Sequence, residues 1–526
     1  MNRLPTLLLL VGLIGAMIWV DRTGDDASDA ATQDLGVVVG PRVPGEGSLG
    51  STWYCAGGFT TPDALNDHRV ILTNPTEEPA RGSLTLYPSL IDVEGNPRPF
   101  QPAVQPIELA GNEQSVISLA PIVASLDADL ATPTGSFVGA LVEFDSGSAI
   151  VEHAVVTPLG QDLAVCATEA STSWWFASGT TTADVTYQVH LLNPFPDDAV
   201  VDLVFLTDGG ARTPSIFTGR LVPAQSLTVL DLSPSFAPWD QVAAEVTTRT
   251  GRVIVERIQV FRNQAGPVGL SLTPGTSALS DQWFFPAGSG APGASESFVI
   301  YNPNDEAAEV EFELKPDSAD RAGDNAPLGV PLGPNERWVV NVSRHPSHPV
   351  STVATIDATE AAVRGERFFV SIRSFNGVPV LAERVWSRPL EVGLGVASSF
   401  GITAASTDQT LAVPPWFEPG AIDDVSTGRQ GELAVLNPAG DTISRVEVWV
   451  GGPGGEVLRE RAELAPRRRA AFDLNTLLRE DDTWIRVVSS TGTMAEIVVA
   501  PTDTIATAAA IPGVGTTSIP NLLSFD

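Results

Sequence analysis

The sequence predicts an all-β protein: four tandem immunoglobulin-like β-sandwich repeats behind an N-terminal membrane anchor. Three observations carry this reading. An aromatic-led run that stops at Asn-Pro occurs four times, from Trp53 to Asn74-Pro75, Trp174 to Asn193-Pro194, Trp283 to Asn302-Pro303 and Trp416 to Asn437-Pro438. The Trp-to-Asn spacing is 21, 19, 19 and 21 residues, and recurrence at a near-fixed period marks a tandem array. Between these landmarks short runs alternate apolar and polar residues, and clusters of Gly, Pro, Asn and Asp separate them, the signature of half-buried strands and their turns. Seven or eight such strands per repeat match the sandwich pattern. A β-propeller is the alternative, although blades usually run ~40 to 50 residues, so each repeat would have to hold two.

Length and composition agree with a folded array. A chain of 526 residues has a prior of three or four domains, and 43% apolar with 18% charged residues is ordinary for globular protein. The net charge of −33 is not ordinary, and it reflects a shortage of bases, Lys315 being the only lysine. A field of that sign repels phosphate backbones and argues against nucleic acid as a partner. The one basic run, Arg467-Arg468-Arg469, follows Pro466 at a predicted turn and reads as a solvated tip.

In chain order, residues 1–22 hold Arg3, an apolar stretch from Leu4 to Val20, then Asp21 and Arg22. Such a stretch spans roughly 25 Å as a helix, at the short end of the membrane-crossing range. It reads as an uncleaved anchor with the bulk of the chain outside the cytoplasm; secretion after signal cleavage is the alternative. Residues 23–50 mix Gly, Asp, Ala, Thr and Pro without periodicity and read as an acidic flexible stalk. The repeats are bounded at 51–171, 172–280, 281–411 and 412–512, and 513–526 form a tail. Little linker separates one repeat from the next, so neighbours are expected to touch and to build a semi-rigid rod.

Two further landmarks recur inside each repeat. After Asn-Pro and its acidic turn comes an alternating strand, as in Val200–Leu206 and Val310–Leu314. A Leu-x-Pro turn and another strand follow, at Leu221-Val222-Pro223, Leu332-Gly333-Pro334 and Leu464-Ala465-Pro466, with Leu109-Ala110-Gly111 in the first repeat. A strand carrying one acid closes each unit, placing Glu152, Glu256, Glu383 and Glu496 among apolar neighbours. Only short segments near Ala120–Leu130 and Leu474–Arg479 have helical character.

Each landmark has a chemical and a structural reading. Cys55 and Cys166, the only cysteines, bracket the first repeat and in an exported chain read as a disulfide rather than a catalytic thiol. Acids follow Asn74, Asn193, Asn302 and Asn437, which suggests calcium. The Asp-x-Asp-x-Asp-Gly spacing of a dedicated loop is missing, so a hairpin turn with Asn ending the strand is the reading adopted. Four equivalent Glu residues cannot each have a separate catalytic partner, so Glu152, Glu256, Glu383 and Glu496 read as structural acids bonded to a neighbouring Arg or backbone. Trp53, Trp174, Trp283 and Trp416 read as core or inter-module plugs, with a glycan-stacking platform as the alternative. His345 and His348 lie close together at a turn without a third ligand. No nucleophile elbow, phosphate loop, dinucleotide fingerprint or zinc-protease motif occurs.

The N-terminal apolar segment, the Trp-aromatic-x-x-Gly openings, the Asn-Pro strand ends and the closing Val-x-Glu-Arg-like strands resemble an uncharacterised actinobacterial family of large secreted or membrane-anchored envelope proteins. The resemblance covers residues 51 to about 512. It implies a place outside the cytoplasm and transfers no functional residues.

The expectation is therefore a non-enzymatic scaffold or presentation protein of the cell envelope, with no cofactor and no metal. Its partner would be another envelope protein or a cell-wall glycan. Carbohydrate or peptidoglycan binding is the alternative function and a hydrolase the third.

Overall fold

The computed structural model describes residues 41, 43–44, 50–91, 97–99, 101–126, 135–145, 149–233, 236, 238–263, 266–290, 295–317, 327–343, 366–389, 393–417, 419, 430–500 and 509–517. The chain is nearly all β, as the alternating patterns require; its α-helices among the described residues are the short Ala120–Leu126 and Leu474–Leu477. The segment read as an anchor, His345 and His348 lie outside the described residues. No helix within them is long and apolar enough to cross a membrane.

Each repeat builds two antiparallel sheets. In the second, one sheet runs Ser173–Phe176, Val242–Thr250, Ala199–Thr207, with Arg220–Val222 and Gly210–Arg212 at its edge. The other runs Pro267–Pro274, Ile254–Arg262, Val185–Asn193, Ser226–Asp231. The two share an apolar core that includes Trp174, Phe176, Tyr187, Val201 and Val255. An immunoglobulin constant domain groups its first strand with its second and fifth. Here the first strand instead joins the sheet of Ala199–Thr207 and Val242–Thr250, the third and seventh strands of the module, by pairing with Val242–Thr250.

Three strands per module matter below. The opening strands are Ser51–Thr60, Ser173–Phe176, Gln282–Ser289 and Ser406–Ala412. The carboxylate strands are Ile150–Thr157, Ile254–Arg262, Leu381–Pro389 and the second half of Trp484–Ala500. The inner strands are Gly160–Val165, Pro267–Pro274, Leu394–Phe400 and Ala509–Pro512.

The modules do not form a rod. The first and second inner strands touch, the second pairs in parallel with the third through Pro267↔Leu394 and Val268↔Gly395, and the fourth touches both the third and the first. The array therefore closes into a ring. Across the closing junction Gln114 donates Nε2–H to the carbonyls of Val413 at 2.9 Å and Thr483 at 3.3 Å. One apolar cluster continues from the first module into the fourth. The stacking of each module on the next follows from the opening strands being apolar on consecutive residues, as in Trp53-Tyr54-Cys55-Ala56. A sheet apolar on both faces must be covered on both. Ala56, Tyr87 and Leu141 accordingly belong to the second module's core, and Ala177, Leu206 and Ala243 to the third's. In its closure the ring has the character of the propeller alternative, with two sheets per repeat, while the chain alternates between sheets as in a sandwich.

Trp53, Trp174 and Trp283 are 0%, 3% and 0% exposed. Trp174 and Trp283 donate Nε1–H to the carbonyls of Val253 and Val380, both at 2.9 Å, while Trp53 donates to Ser51 Oγ. The fourth copy is a correction. Its opening strand holds Gln409, which stands opposite Val487 as Trp174 stands opposite Val246. Gln409 donates Nε2–H to Thr493 O at 2.8 Å, and Val253, Val380 and Thr493 each precede their module's Glu by three residues. Trp416 lies beyond that strand, partly buried against the core. A longer connection before Gln430–Asn437 gives Trp416 the Trp-to-Asn spacing of a landmark without its place.

The boundaries shift with it. Ser406–Ala412 opens the fourth module from within the span assigned to the third. Val514–Thr517, read as tail, pairs with that strand through Gln409↔Gly515 and Thr410↔Val514. Val43–Pro44, read as stalk, pairs in parallel with Val514–Thr517 in turn.

The four Asn residues join two turns in every module. Asn74, Asn193, Asn302 and Asn437 are buried. Their Nδ2 groups donate to Glu78, Asp197, Glu306 and Thr442 carbonyls in the following turn. They also donate to Ala110, Val222, Leu332 and Leu464 carbonyls at the Leu-x-Pro turn. That second turn always contains one non-glycine residue with positive φ: Asn112, Gln225, Asn335 and Arg467, between 51° and 58°. Such a conformation persists where surrounding bonds over-determine it.

Cys55 and Cys166 are disulfide-bonded, with Cα atoms 4.7 Å apart and a sequence separation of 111. Closing so long a loop restricts the unfolded chain by about 4–5 kcal/mol in the chain-entropy account. At the matching place the second and third modules pack a phenyl ring on glycine, Phe176 on Gly275 and Phe285 on Gly401, where a Cβ would meet the ring at 3.1 and 3.0 Å. The disulfide thus replaces a ring-on-glycine contact.

Truncating Trp174 or Trp283 to Ala should lower the unfolding free energy of the full chain by about 3–5 kcal/mol, the usual cost of deleting a buried indole. Trp416→Ala should cost less than half as much. Guanidinium titrations of the three variants check the order; equal losses at Trp416 and Trp283 would contradict the assignment of Gln409 to the Trp site.

Candidate functional site: the buried junctions

The repeated acids meet the preceding module, not their own. At the second–third junction Glu383 Oε2 accepts from the amides of Ala177 and Ser178 at 3.0 and 2.9 Å. Its Oε1 accepts from Ser178 Oγ and from Arg257 Nη2, both at 2.6 Å. Arg257 directly follows the second module's own Glu, lies over the Phe176 ring and also donates to Ser178 O, Thr273 Oγ1 and Ser398 Oγ. Both side chains are fully buried. A charge pair removed from water is tolerable only with its remaining bonding capacity filled, and here it is largely filled by the backbone bend after the opening strand.

The third–fourth junction repeats this arrangement. Glu496 accepts from Ala287 N–H at 3.0 Å and from Arg384 Nη2, and Arg384 also donates to Ala287 O and lies over Phe285. Burial pushes the Glu496 carboxyl up against the opposing pull of Arg384. The register slips between Phe285 and Gly288 on the opening strand; a bulge of this kind frees amides from the ladder and re-aims them.

A small cavity opens beside this pair, lined by Glu296, Arg384, Trp386, Arg388 and Glu432. Burial raises the Glu296 carboxyl to about 7, with Arg384 and Arg388 opposing the rise. Arg469 bridges the modules there, donating to both Asp317 oxygens at 2.8 and 3.0 Å and to Pro286 O at 2.7 Å, and pairing with Glu432 at 3.0 Å. Arg467 meets Glu313 of the third module. The basic run read as a solvated tip is therefore an inter-module contact: the turn that carries it is pressed against the neighbouring acidic strand.

At the first–second junction His153 takes the Arg position, and two further histidines converge on it. His68 Nδ1–H donates to Val138 O at 2.8 Å, since a carbonyl can only accept. His68 Nε2, unprotonated, then accepts from His153 Nδ1–H at 2.9 Å. His153 Nε2 faces Glu256 Oε1 at 3.1 Å, and Glu256 Oε2 accepts from Gly57 N–H at 3.2 Å. Burial and the neighbouring His153 hold the His68 imidazole well below its usual range, and burial pushes His190 down to about 3. A Cβ on Gly57, whose φ is +147°, would lie 2.9 Å from His190 Nδ1, so only glycine fits this bend. Sequence reasoning did not bring His68, His153 and His190 together. The available signal was that His153 follows Glu152 as Arg257 follows Glu256.

The closing junction lacks the latch. Ile497 stands where Arg257 and Arg384 stand, and neither carboxyl oxygen of Glu152 has a hydrogen-bond partner among the described residues. Burial alone raises its carboxyl to about 8.

Comparison with known proteins adds little. Residues 159–255 match a family of unknown function (DUF5719), a span running from the first module's inner strand to the second's carboxylate strand. No curated protein matches. Among solved structures, red sea bream transglutaminase shares 12% identity over 42% of this chain and 29% of its own, with a TM-score of 0.10. An α-L-rhamnosidase of Streptomyces avermitilis complexed with L-rhamnose shares 9% over 73% and 47%, with a TM-score of 0.11. The chain thus spans less than half of either, and neither likeness carries an argument.

Two outcomes test the junction chemistry. Glu383→Gln leaves the Arg257 charge without its counter-ion and should cost about 3–5 kcal/mol, whereas the double change Glu383→Leu with Arg257→Met should cost less than the single one. A double-mutant cycle in denaturant with purely additive costs would exclude the coupling. His190 is depressed in the fold, so it contributes stability that is present above about pH 6.5 and lost as pH falls toward 3. His190→Gln should flatten the acid limb of a pH–stability curve; an unchanged limb would show that His190 does not contribute.

Proposed function

We propose that the protein is a non-enzymatic scaffold or presentation protein of the cell envelope, anchored by its N-terminal segment and held outside the cytoplasm. In this reading its frame is four immunoglobulin-like sandwiches with exchanged edge strands, closed into a ring. The observation that carries it is the use made of the shared polar residues. The four Asn residues join turns, and Glu256, Glu383 and Glu496 with their basic partners lock junctions. Residues kept in register for cohesion suit a rigid frame that displays its outer edges and loops to another envelope protein or to the wall. The disulfide fits an oxidising compartment, and the charge of −33 fits solubility there. The actinobacterial, secreted character of the resembling family belongs to the same proposal.

Expressed in a bacterial host, the full chain should sediment with membranes and be trimmed by external protease, while a chain lacking residues 1–22 should not reach the outside. A mature N-terminus near residue 30 in the medium would show secretion in place of anchoring. On purified wall fractions the scaffold reading expects retention that is lost when wall proteins are digested. Retention by protein-free glycan, displaced by soluble oligosaccharide, would put a glycan-binding role in its place.

A further inference from the structure

The four junctions are built on one plan, and the closing one departs from it at both of its polar contacts. In the second and third modules the residue two beyond the opening-strand aromatic, Ser178 or Ala287, turns its amide to the next module's Glu and its carbonyl to its own module's Arg. The corresponding residue in the fourth module is Val413. The register there is regular from Asp408 to Ala412, and Val413 N–H, just beyond the strand, donates to Thr483 O at 2.9 Å. The basic side chain is replaced by Ile497. Among the described residues, the junction that Glu152 faces offers it neither an amide nor a cation. Its ladder neighbours Ile71 and Val165 belong to the apolar cluster that fuses the first and fourth modules. What bridges this junction is the neutral Gln114 contact, together with the clasp of both chain ends, Val43–Pro44 on Val514–Thr517 on Ser406–Ala412.

We propose that the ring has one built-in opening seam, between the fourth and first modules, and that the buried Glu152 carboxyl sets how readily it opens. While protonated, the carboxyl sits in the apolar junction without a buried charge. Opening gives it water and lets it ionise in its ordinary range, so the opening equilibrium rises with pH from about 4.5 to the folded value of about 8 and then levels. One proton released on opening corresponds to at most about tenfold per pH unit in that window. The other titratable groups on the elements packed there are engaged elsewhere. His68 and His153 bond each other toward the second module, and Asp162 accepts from Leu163 and Leu272 amides. Asp67 holds Arg69 and the Ala120 amide, Asp408 pairs with Arg486, and Glu496 with Arg384.

Hydrogen–deuterium exchange of the full chain in detergent, followed from pH 5.5 to 8.5 and corrected for intrinsic exchange, tests this. Amides of Asp67–Thr73 and Ser406–Ala412 should be less protected than Val185–Asn193 and Ser295–Asn302, which hold the matching second-strand place at the latched junctions. Their protection should fall with pH by up to about tenfold per unit. Glu152→Gln, which keeps the shape and cannot ionise, should make seam protection independent of pH, and Ile497→Arg, which supplies the missing cation, should raise it. Seam protection equal to that of the other junctions at every pH would overturn the proposal, as would an undiminished pH dependence in Glu152→Gln. If Glu152→Gln does not fold, the wild-type profile alone decides: a flat one refutes the seam.

Discussion

The fold depends on hydrogen-bonding a carboxylate that has been carried out of water at the place where two modules meet. An ionised acid in such a site is costly unless charge and bonding capacity are both matched. The chain meets the requirement with two groups from the preceding module, a guanidinium or imidazole and a backbone amide at the bend, while the carbonyl at the bend accepts from the guanidinium at two of the junctions. Because these come from two strands of one module and the acid from the next, the contact forms only when the modules are correctly stacked. A purely apolar face could slide; a bidentate acid on a bulged amide cannot. The same contact therefore supplies cohesion and register, and it makes the opening strand a structural element of two modules at once.

That double membership explains why each module stacks on the next. A sheet with apolar residues on both faces needs a partner on each side, and four such sheets alternating with four others close on themselves. The inner strands then come together, with the second and third pairing in parallel at Pro267↔Leu394. Closure also brings the chain ends together, since Val43–Pro44 and Val514–Thr517 meet beside the fourth opening strand. A cyclic array made from a linear chain must have one junction whose two sides are far apart in sequence, and it is this junction that departs from the plan.

Much of the architecture was legible in the residues. Period-two alternation pointed to the strands of a nearly all-β chain, and the Asn-Pro and closing Glu landmarks pointed to residues that hold matching turn and strand positions. The two cysteines, bracketing one module, suggested the bond between Cys55 and Cys166. Three features were not legible, for physical reasons. The Trp site of the fourth module is filled by Gln409, because what that site requires is a long side chain with an N–H reaching a carbonyl, and an amide meets that requirement as an indole does. Arg469 looked like a surface residue because sequence cannot show that the turn bearing it is pressed on Asp317 and Glu432 of a junction. The rod became a ring because nothing local distinguishes a strand apolar on both faces inside an open stack from one inside a closed stack.

Departures from a repeat's plan carry more information than the plan. His153 in the Arg position replaces a permanently charged guanidinium with an imidazole that faces Glu256 and recruits His68 as a third member. Ile497 in the same position, together with an unbulged Val413, abolishes the latch while Glu152 is retained. Retaining the acid is the telling half of that pair. A junction meant only to be apolar would be better served by a leucine, which would remove an unsatisfied buried carboxyl. A carboxyl kept neutral by its surroundings ties the junction to proton activity. The three latched junctions can thus hold the modules in register while the fourth sets how the ring closes.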